Sequence, residues 1–96
     1  MIEIRKTEEF IVWLDNLFDL TARAKIQARI KRLSEGNPGD TKSVGEKVFE
    51  MRIDFGPGYR VYYTKQGQKI TILLLGGDKK SQNQDIKLAQ RLARNL

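Results

Sequence analysis

Residues 47–77 constrain the fold most. Three strand-like runs, KVFEMRIDF (47–55), YRVYYTK (59–65) and KITILLLGG (69–77), are separated only by GPG (56–58) and QGQ (66–68). Short runs that alternate or stay apolar between glycine-containing turns read as strands. Links of three residues join antiparallel neighbours, so the segment is predicted to be a three-stranded meander. In the first run Phe49, Met51, Ile53 and Phe55 face one way, and Val48, Glu50, Arg52 and Asp54 the other. In the second, Tyr59, Val61 and Tyr63 oppose Arg60, Tyr62 and Thr64. The third run is the most apolar and is predicted to be central.

The preceding segments supply cover for one face. Residues 2–6, IEIRK, alternate as a short strand. Thr7 is placed to cap a helix, with Glu8 and Glu9 favourable in its first turn. Phe10, Trp13, Leu14, Leu17 and Phe18 then form an apolar stripe at helical spacing, read as core rather than as a partner groove. Asp19 or Thr21 caps a second helix, whose apolar line is Ala22, Ile26, Ile30 and Leu33. Gly36 and Pro38, in SEGNPGD (34–40), end it. DTKSVGEK (40–47) reads as a polar loop. After the meander, Ser81 and Gln84 are spaced as a capping box. A last helix carries Ile86, Ala89 and Ala93 in line, with Leu88 and Leu92 beside them.

The order β-α-α-β-β-β-α predicts an α+β fold in one domain spanning 1–96: a small antiparallel-rich sheet, a helical hairpin on one face, and a C-terminal helix. With the helices on one face, the other is expected to stand exposed and polar.

Composition removes several kinds of chemistry. The chain has no cysteine and no histidine. Disulfides, zinc–thiolate sites, histidine-ligated metals and Ser-His-Asp triads are excluded, and no cofactor or metal is expected. No apolar stretch approaches the ~20 residues of a membrane span. The first residues, MIEIRKTEEF, lack a signal-peptide core, so a cytoplasmic location without a membrane partner is expected.

Charge points to an anionic partner. There are 18 Lys and Arg against 12 Asp and Glu, a net +6. Residues 23–34 hold Arg23, Lys25, Arg29, Lys31 and Arg32 with no acid, which marks this helix as a candidate nucleic-acid surface. The alternative for such a helix is an ordinary solvated face.

On the polar side of the meander, alternation groups Glu50, Arg52, Arg60 and Tyr62, with Lys79 and Lys80 just beyond the last strand. Gly76, Gly77 and the start of the last helix are expected to let backbone N–H groups approach a phosphate. This set suits RNA cleavage by the 2′-hydroxyl. Arginine matches phosphate oxygens, a lysine among cations or Glu50 is the base, and Tyr62 stacks on a nucleobase or donates a proton. The competing reading is a row of cross-strand ion pairs on a solvated face, each contributing little.

VFEMRIDFGPGYRVYY followed by ITILLLGGDKKSQNQDI resembles the HigB-like branch of the RelE/ParE toxin superfamily, the addiction-module killer proteins. The resemblance runs over nearly the whole chain and is strongest from Val48 to Ala89. It implies a RelE-like toxin of a type II toxin–antitoxin pair. It also implies mRNA cleavage on the ribosome, and an antitoxin partner, commonly a helix-turn-helix repressor. Arg52, Arg60, Lys79 and Lys80 match the family's basic positions, implying RNA binding and transition-state stabilisation. Glu50 and Tyr62 match as further chemical groups, and Gln82 and Asp85 as residues that cap and pin the last helix. Several ribonucleases of the superfamily use a histidine or a C-terminal tyrosine, and this chain has no histidine and no tyrosine after Tyr63. The ParE branch shares the fold and inhibits DNA gyrase, which leaves a non-enzymatic toxin as the alternative.

Overall fold

The computed structural model describes all residues, 1–96. Its elements are β1 (Glu3–Lys6), α1 (Glu8–Asp15), α2 (Leu20–Ser34), β2 (Thr41–Ser43), β3 (Val48–Ile53), β4 (Tyr59–Gln66), β5 (Ile70–Asp78) and α3 (Gln82–Arg94). The fold is mixed α+β, as the alternation of segments implied. Five strands form one sheet in the order β1-β5-β4-β3-β2. The meander β3-β4-β5 is antiparallel, and β1 joins β5 in parallel at the edge. The apolar β5 is thus paired on both sides. Part of the loop expected over 40–47 is a strand, β2, which pairs with β3 at the other edge.

Thr7 ties α1 to the sheet. Its Oγ1 accepts from the Phe10 N–H at 3.1 Å and donates to the Leu74 carbonyl at 2.6 Å. The helix ends at Asp15, earlier than its apolar stripe suggested, and Phe18 lies in the connection, 97% exposed. Asp19, not Thr21, caps α2 through the Thr21 and Ala22 amides. The far end of α2 closes as a Schellman motif. Asn37 N–H donates to Arg32 O and Gly36 N–H to Leu33 O, with Gly36 at φ +91°.

Both faces of the sheet are covered, which corrects the expectation of an exposed polar face. Under α1 and α2 lie Phe10, Leu14, Ala22, Ile26 and Leu33 against Met51, Ile53, Tyr59, Val61, Tyr63 and Leu73. Under α3 lie Val48, Tyr62, Ile72, Leu74, Leu75 and Ala89, with Ile86, Leu88 and Leu92 packed alongside. Full burial of one such aliphatic or phenyl side chain contributes roughly 1.5–3 kcal/mol. The line of Ile86 and Ala89 gave α3 an apolar face, and that face needs a sheet to bury it.

One irregularity sets the geometry near the site. Tyr62 pairs with Leu75 but Tyr63 with Leu73, so β5 carries one extra residue, a β-bulge. Leu74 and Leu75 therefore both join the core beneath α3. Beyond the bulge the alternation is reversed. A Cβ on Gly76 would meet the Trp13 ring at 2.0 Å, and one on Gly77 would meet Asp85 Oδ2 at 1.9 Å. These glycines admit Trp13 on one side and Asp85 on the other, rather than opening backbone to a phosphate.

Candidate functional site: a cationic cleft at the GPG end of the sheet

The register places Arg52 of β3 directly opposite Arg60 of β4. Like charges across an antiparallel pair repel, so each needs a counter-charge or an anionic ligand. The two are balanced differently. Arg52 donates from Nε and Nη2 to Asp40 Oδ1 at 3.2 and 2.8 Å, on the surface. The hydrogen bond to Asp40, and then its charge, push the guanidinium pKa above its usual value. Arg60 is almost enclosed, its side chain 11% exposed. Its Nη1 donates to Gly58 O at 3.1 Å, and its Nε lies 3.9 Å from Glu50 Oε2.

Asp40, Arg52, Asp54, Gly58, Arg60 and Lys79 line a cleft of about 410 Å³ with no apolar side chain. Three cations face two carboxylates. The GPG turn builds one wall: Gly58 N–H donates to Phe55 O at 3.1 Å, and Gly58 sits at φ +79° beside Arg60 Nη1 and the Lys79 stem. Only glycine adopts that conformation freely. A hollow of about 440 Å³ lies at the opposite end of β4, around Glu46, Lys47, Lys65 and Arg94. There Arg94 is already paired to Glu46 at 2.6 Å, so its cations do not converge as those of the GPG end do.

Glu50 and Tyr62 are not on an exposed face. Both are 0% exposed, covered by α3, and neither lines the cleft. Glu50 Oε2 accepts from Tyr62 OH at 3.1 Å and from Gln82 Nε2 at 2.8 Å. Burial, followed by the Glu50 charge, drives the Tyr62 phenol pKa far above its usual value. The expected stacking or proton-donating phenol is therefore a buried neutral hydroxyl.

Lys79 lines the cleft, whereas Lys80 is exposed and outside it. The backbone amides of Lys80 and Ser81 donate to Asp78 Oδ1 at 2.9 and 3.1 Å. The amides expected to meet a phosphate are thus already satisfied. The capping box is also absent: Ser81 makes no side-chain cap and instead donates its hydroxyl to Asp85. Burial raises the Asp85 pKa, and the Ser81 hydrogen bond partly offsets that rise.

The basic residues of α2 do not make one free surface. Arg29 turns inward, donating to the carbonyls of Arg52 at 2.6 Å, Pro38 at 3.0 Å and Asp40 at 3.3 Å. Desolvation, then Arg32, lower its pKa. Arg29 thereby fixes the segment that carries Asp40 to the cleft. Lys25 sits over the Phe55 ring at 5.1 Å, and Arg23 approaches Asp15 at 3.9 Å. Lys31 and Arg32 remain exposed.

Two cleft carboxylates, Asp40 and Asp54, are not among the site residues expected from sequence. Asp54 shares its strand face with Arg52, so alternation carried the signal. Asp40 sits in a polar segment whose path only the β2–β3 pairing fixes.

A sequence profile of the family described as phage-derived protein Gp49-like (DUF891) matches residues 12–94, the whole cleft included. The chain belongs to the Gp49-like family. That family is toxin-like, an addiction-module family related to the RelE/ParE toxins. An uncharacterized protein of Haemophilus influenzae strain Rd is 55% identical over 95 residues, covering 99% of this Gp49-like chain and 96% of that protein.

Proposed function

We propose that this Gp49-like protein is the toxin of a type II toxin–antitoxin module, of the HigB-like branch, and cleaves mRNA on the ribosome without a metal or cofactor. The observation that carries the reading is the convergence of Arg52, Arg60 and Lys79 on one polar cleft. A scissile phosphate seated there meets two guanidinium forks and an ammonium, the groups that stabilise charge on a phosphorane. Arg52 reaches the phosphate by leaving Asp40, an exchange of one anion for another. That exchange frees the Asp40 carboxylate within the cleft, where it or Asp54 accepts the 2′-hydroxyl proton. Lys79 donates to the departing 5′-oxygen. Lys80, and Lys31 and Arg32 of α2, supply flanking contacts to RNA backbone. The partner is a cognate antitoxin, of the helix-turn-helix type, in the cytoplasm.

The second reading is a ParE-like toxin that binds gyrase or another protein. It is favoured by the burial of Tyr62 and Glu50, which leaves the cleft without a phenol. Induced expression with mapping of mRNA 5′ ends separates the two. Growth arrest with new ends inside open reading frames supports cleavage. Arrest without new ends, accompanied by DNA damage and filamentation, would transfer the reading to gyrase.

A further inference from the structure

Beneath the cleft, two polar atoms have no hydrogen-bond partner and no solvent: Glu50 Oε1 and Arg60 Nε. They belong to one ion pair, whose closest approach is 3.9 Å, Arg60 Nε to Glu50 Oε2. Lys42 Nζ stands 4.0 Å from Oε1 on the other side. Burying a carboxylate is costly, and a buried pair is often no more stable than two apolar side chains of similar volume. Such a pair is therefore weak grounds for a stabilising role.

Arg60 would otherwise be a long side chain near the end of a strand, with many rotamers open to it. Here its inner edge faces a fixed carboxylate and its Nη1 is tied to Gly58 O at 3.1 Å. The carboxylate is itself fixed, by Tyr62 OH from the sheet and Gln82 Nε2 from α3. Nη1 also reaches Tyr59 O at 3.5 Å, which leaves the Nη2 N–H groups for the cleft that Arg60 lines. Opposite Arg60 on β5 stands Gly77, and the space its missing side chain leaves is taken by Asp85 Oδ2.

We infer that Glu50 is a positioning residue: held by Tyr62 and Gln82, it orients Arg60 so that the outer edge of the guanidinium is preset to receive a phosphate in the cleft. The inference rests on the cleft being an anion site, and it assigns Glu50 no proton transfer. Preorganising a donor in this way lowers the cost of ordering it at the moment of binding.

The test reads Arg60 directly. The Nε–H resonance of Arg60, assigned by its loss in Arg60→Lys, is followed by NMR in wild type, Glu50→Gln and Gln82→Leu, with inorganic phosphate as the titrant. In wild type the resonance exchanges slowly with water and the guanidinium signals shift on adding phosphate. In Glu50→Gln the Nε–H resonance moves, its exchange quickens, and phosphate affinity falls about tenfold, the scale of one charge-assisted contact. Gln82→Leu shows the same changes at roughly threefold, and it decides alone if Glu50→Gln does not fold. An unmoved Nε–H resonance in the folded variants, or phosphate affinity equal to wild type, overturns the positioning role. Failure of wild type to bind phosphate would instead count against the anion-site reading, while the exchange measurement still reports on Glu50.

Discussion

Phe10 of α1 and Ile26 of α2 pack on Met51, Val61 and Leu73 of the sheet; on the face under α3, β3 and β4 bury Glu50 and Tyr62. The first face is dry and aromatic, with Trp13 set edge-on to Tyr59 at 6.3 Å and tilted against Phe10 at 5.8 Å. The second has a smaller apolar core that gives way, toward the GPG end, to a carboxylate, a phenol, an amide and a guanidinium. The contrast teaches where each property resides. The α1/α2 side holds the larger apolar core, and the α3 side gives part of its area to a buried polar cluster beneath the cleft.

The largest effect should come from the dry face. Phe10→Ala is expected to cost about 3–5 kcal/mol, because the cavity it leaves is walled by rigid aromatics and strands. Denaturant unfolding measures this, and a loss below ~1 kcal/mol would show that this face is not the main source of stability. On the α3 face, Glu50→Ala should cost about 3 kcal/mol by leaving Arg60 buried beside no anion, whereas Glu50→Leu with Arg60→Met should recover part of it, the rest being lost because the buried Tyr62 hydroxyl has no acceptor. The double variant should be stable and inactive. A double variant as unstable as the single one would mean that the buried pair serves the fold after all.

Gly76 and Gly77 give each face a smaller contribution. Gly76→Ala drives a methyl into the Trp13 ring and should cost roughly 1–3 kcal/mol. Gly77→Ala meets the end of the Asp85 side chain, which can swing aside, so its cost should be lower. Thermal unfolding of the two variants side by side gives the order, and the reverse order would show that Asp85 is held more firmly than the Trp13 ring.

The smallest effect concerns pH. Burial raises the Asp85 pKa above 3.8 in the folded chain. A raised folded pKa favours folding below the unfolded value and loses that contribution as pH rises through the folded one. Asp85→Asn, which still accepts the Ser81 hydroxyl, should therefore be slightly more stable than wild type at pH 7, and the gain should vanish below pH 3.8. Melting temperatures at pH 3 and pH 7 test the sign.

The dry face was legible in the sequence because its signals are periodic. Phe10, Trp13 and Leu14 on one helix, Ala22, Ile26 and Leu33 on the next, and Met51, Ile53 and Val61 on the strands all repeat with the period of their element. The helix end was misplaced because Phe18 continues the stripe after the chain has begun to turn. The α3 face was misread for a different reason. Alternation shows that Glu50, Arg52, Arg60 and Tyr62 share a face but not what lies over it, and a face that also carries Asp54 and Thr64, with only Val48 apolar, suggests solvent. The bulge at Leu74 has no trace in a run of three leucines, so the sides taken by Gly76 and Gly77 were open. Arg29 looks like any exposed arginine of α2. Its inward turn depends on carbonyls of Pro38, Asp40 and Arg52 that only the fold brings together.

Within the cleft the same logic separates the lysines. Lys79→Ala should reduce activity by about tenfold or more without changing the melting temperature, and Lys80→Ala should do so far less, since only Lys79 lines the cleft. RNA binding should weaken steeply with salt, as expected where several phosphate contacts release counterions.

The most direct test of the cleft as the reacting site uses purified protein and ribosomes programmed with a defined mRNA, comparing wild type with Arg52→Ala. Arg52 is chosen because its Asp40 pair is on the surface, 38% exposed, so its loss leaves no buried charge. Wild type should cleave the message, and the variant should do so at least about a hundredfold more slowly at an unchanged melting temperature, the scale expected when a transition-state donor is removed. An uncut message with wild type, or equal cleavage by the variant, would exclude the cleft as the reacting site.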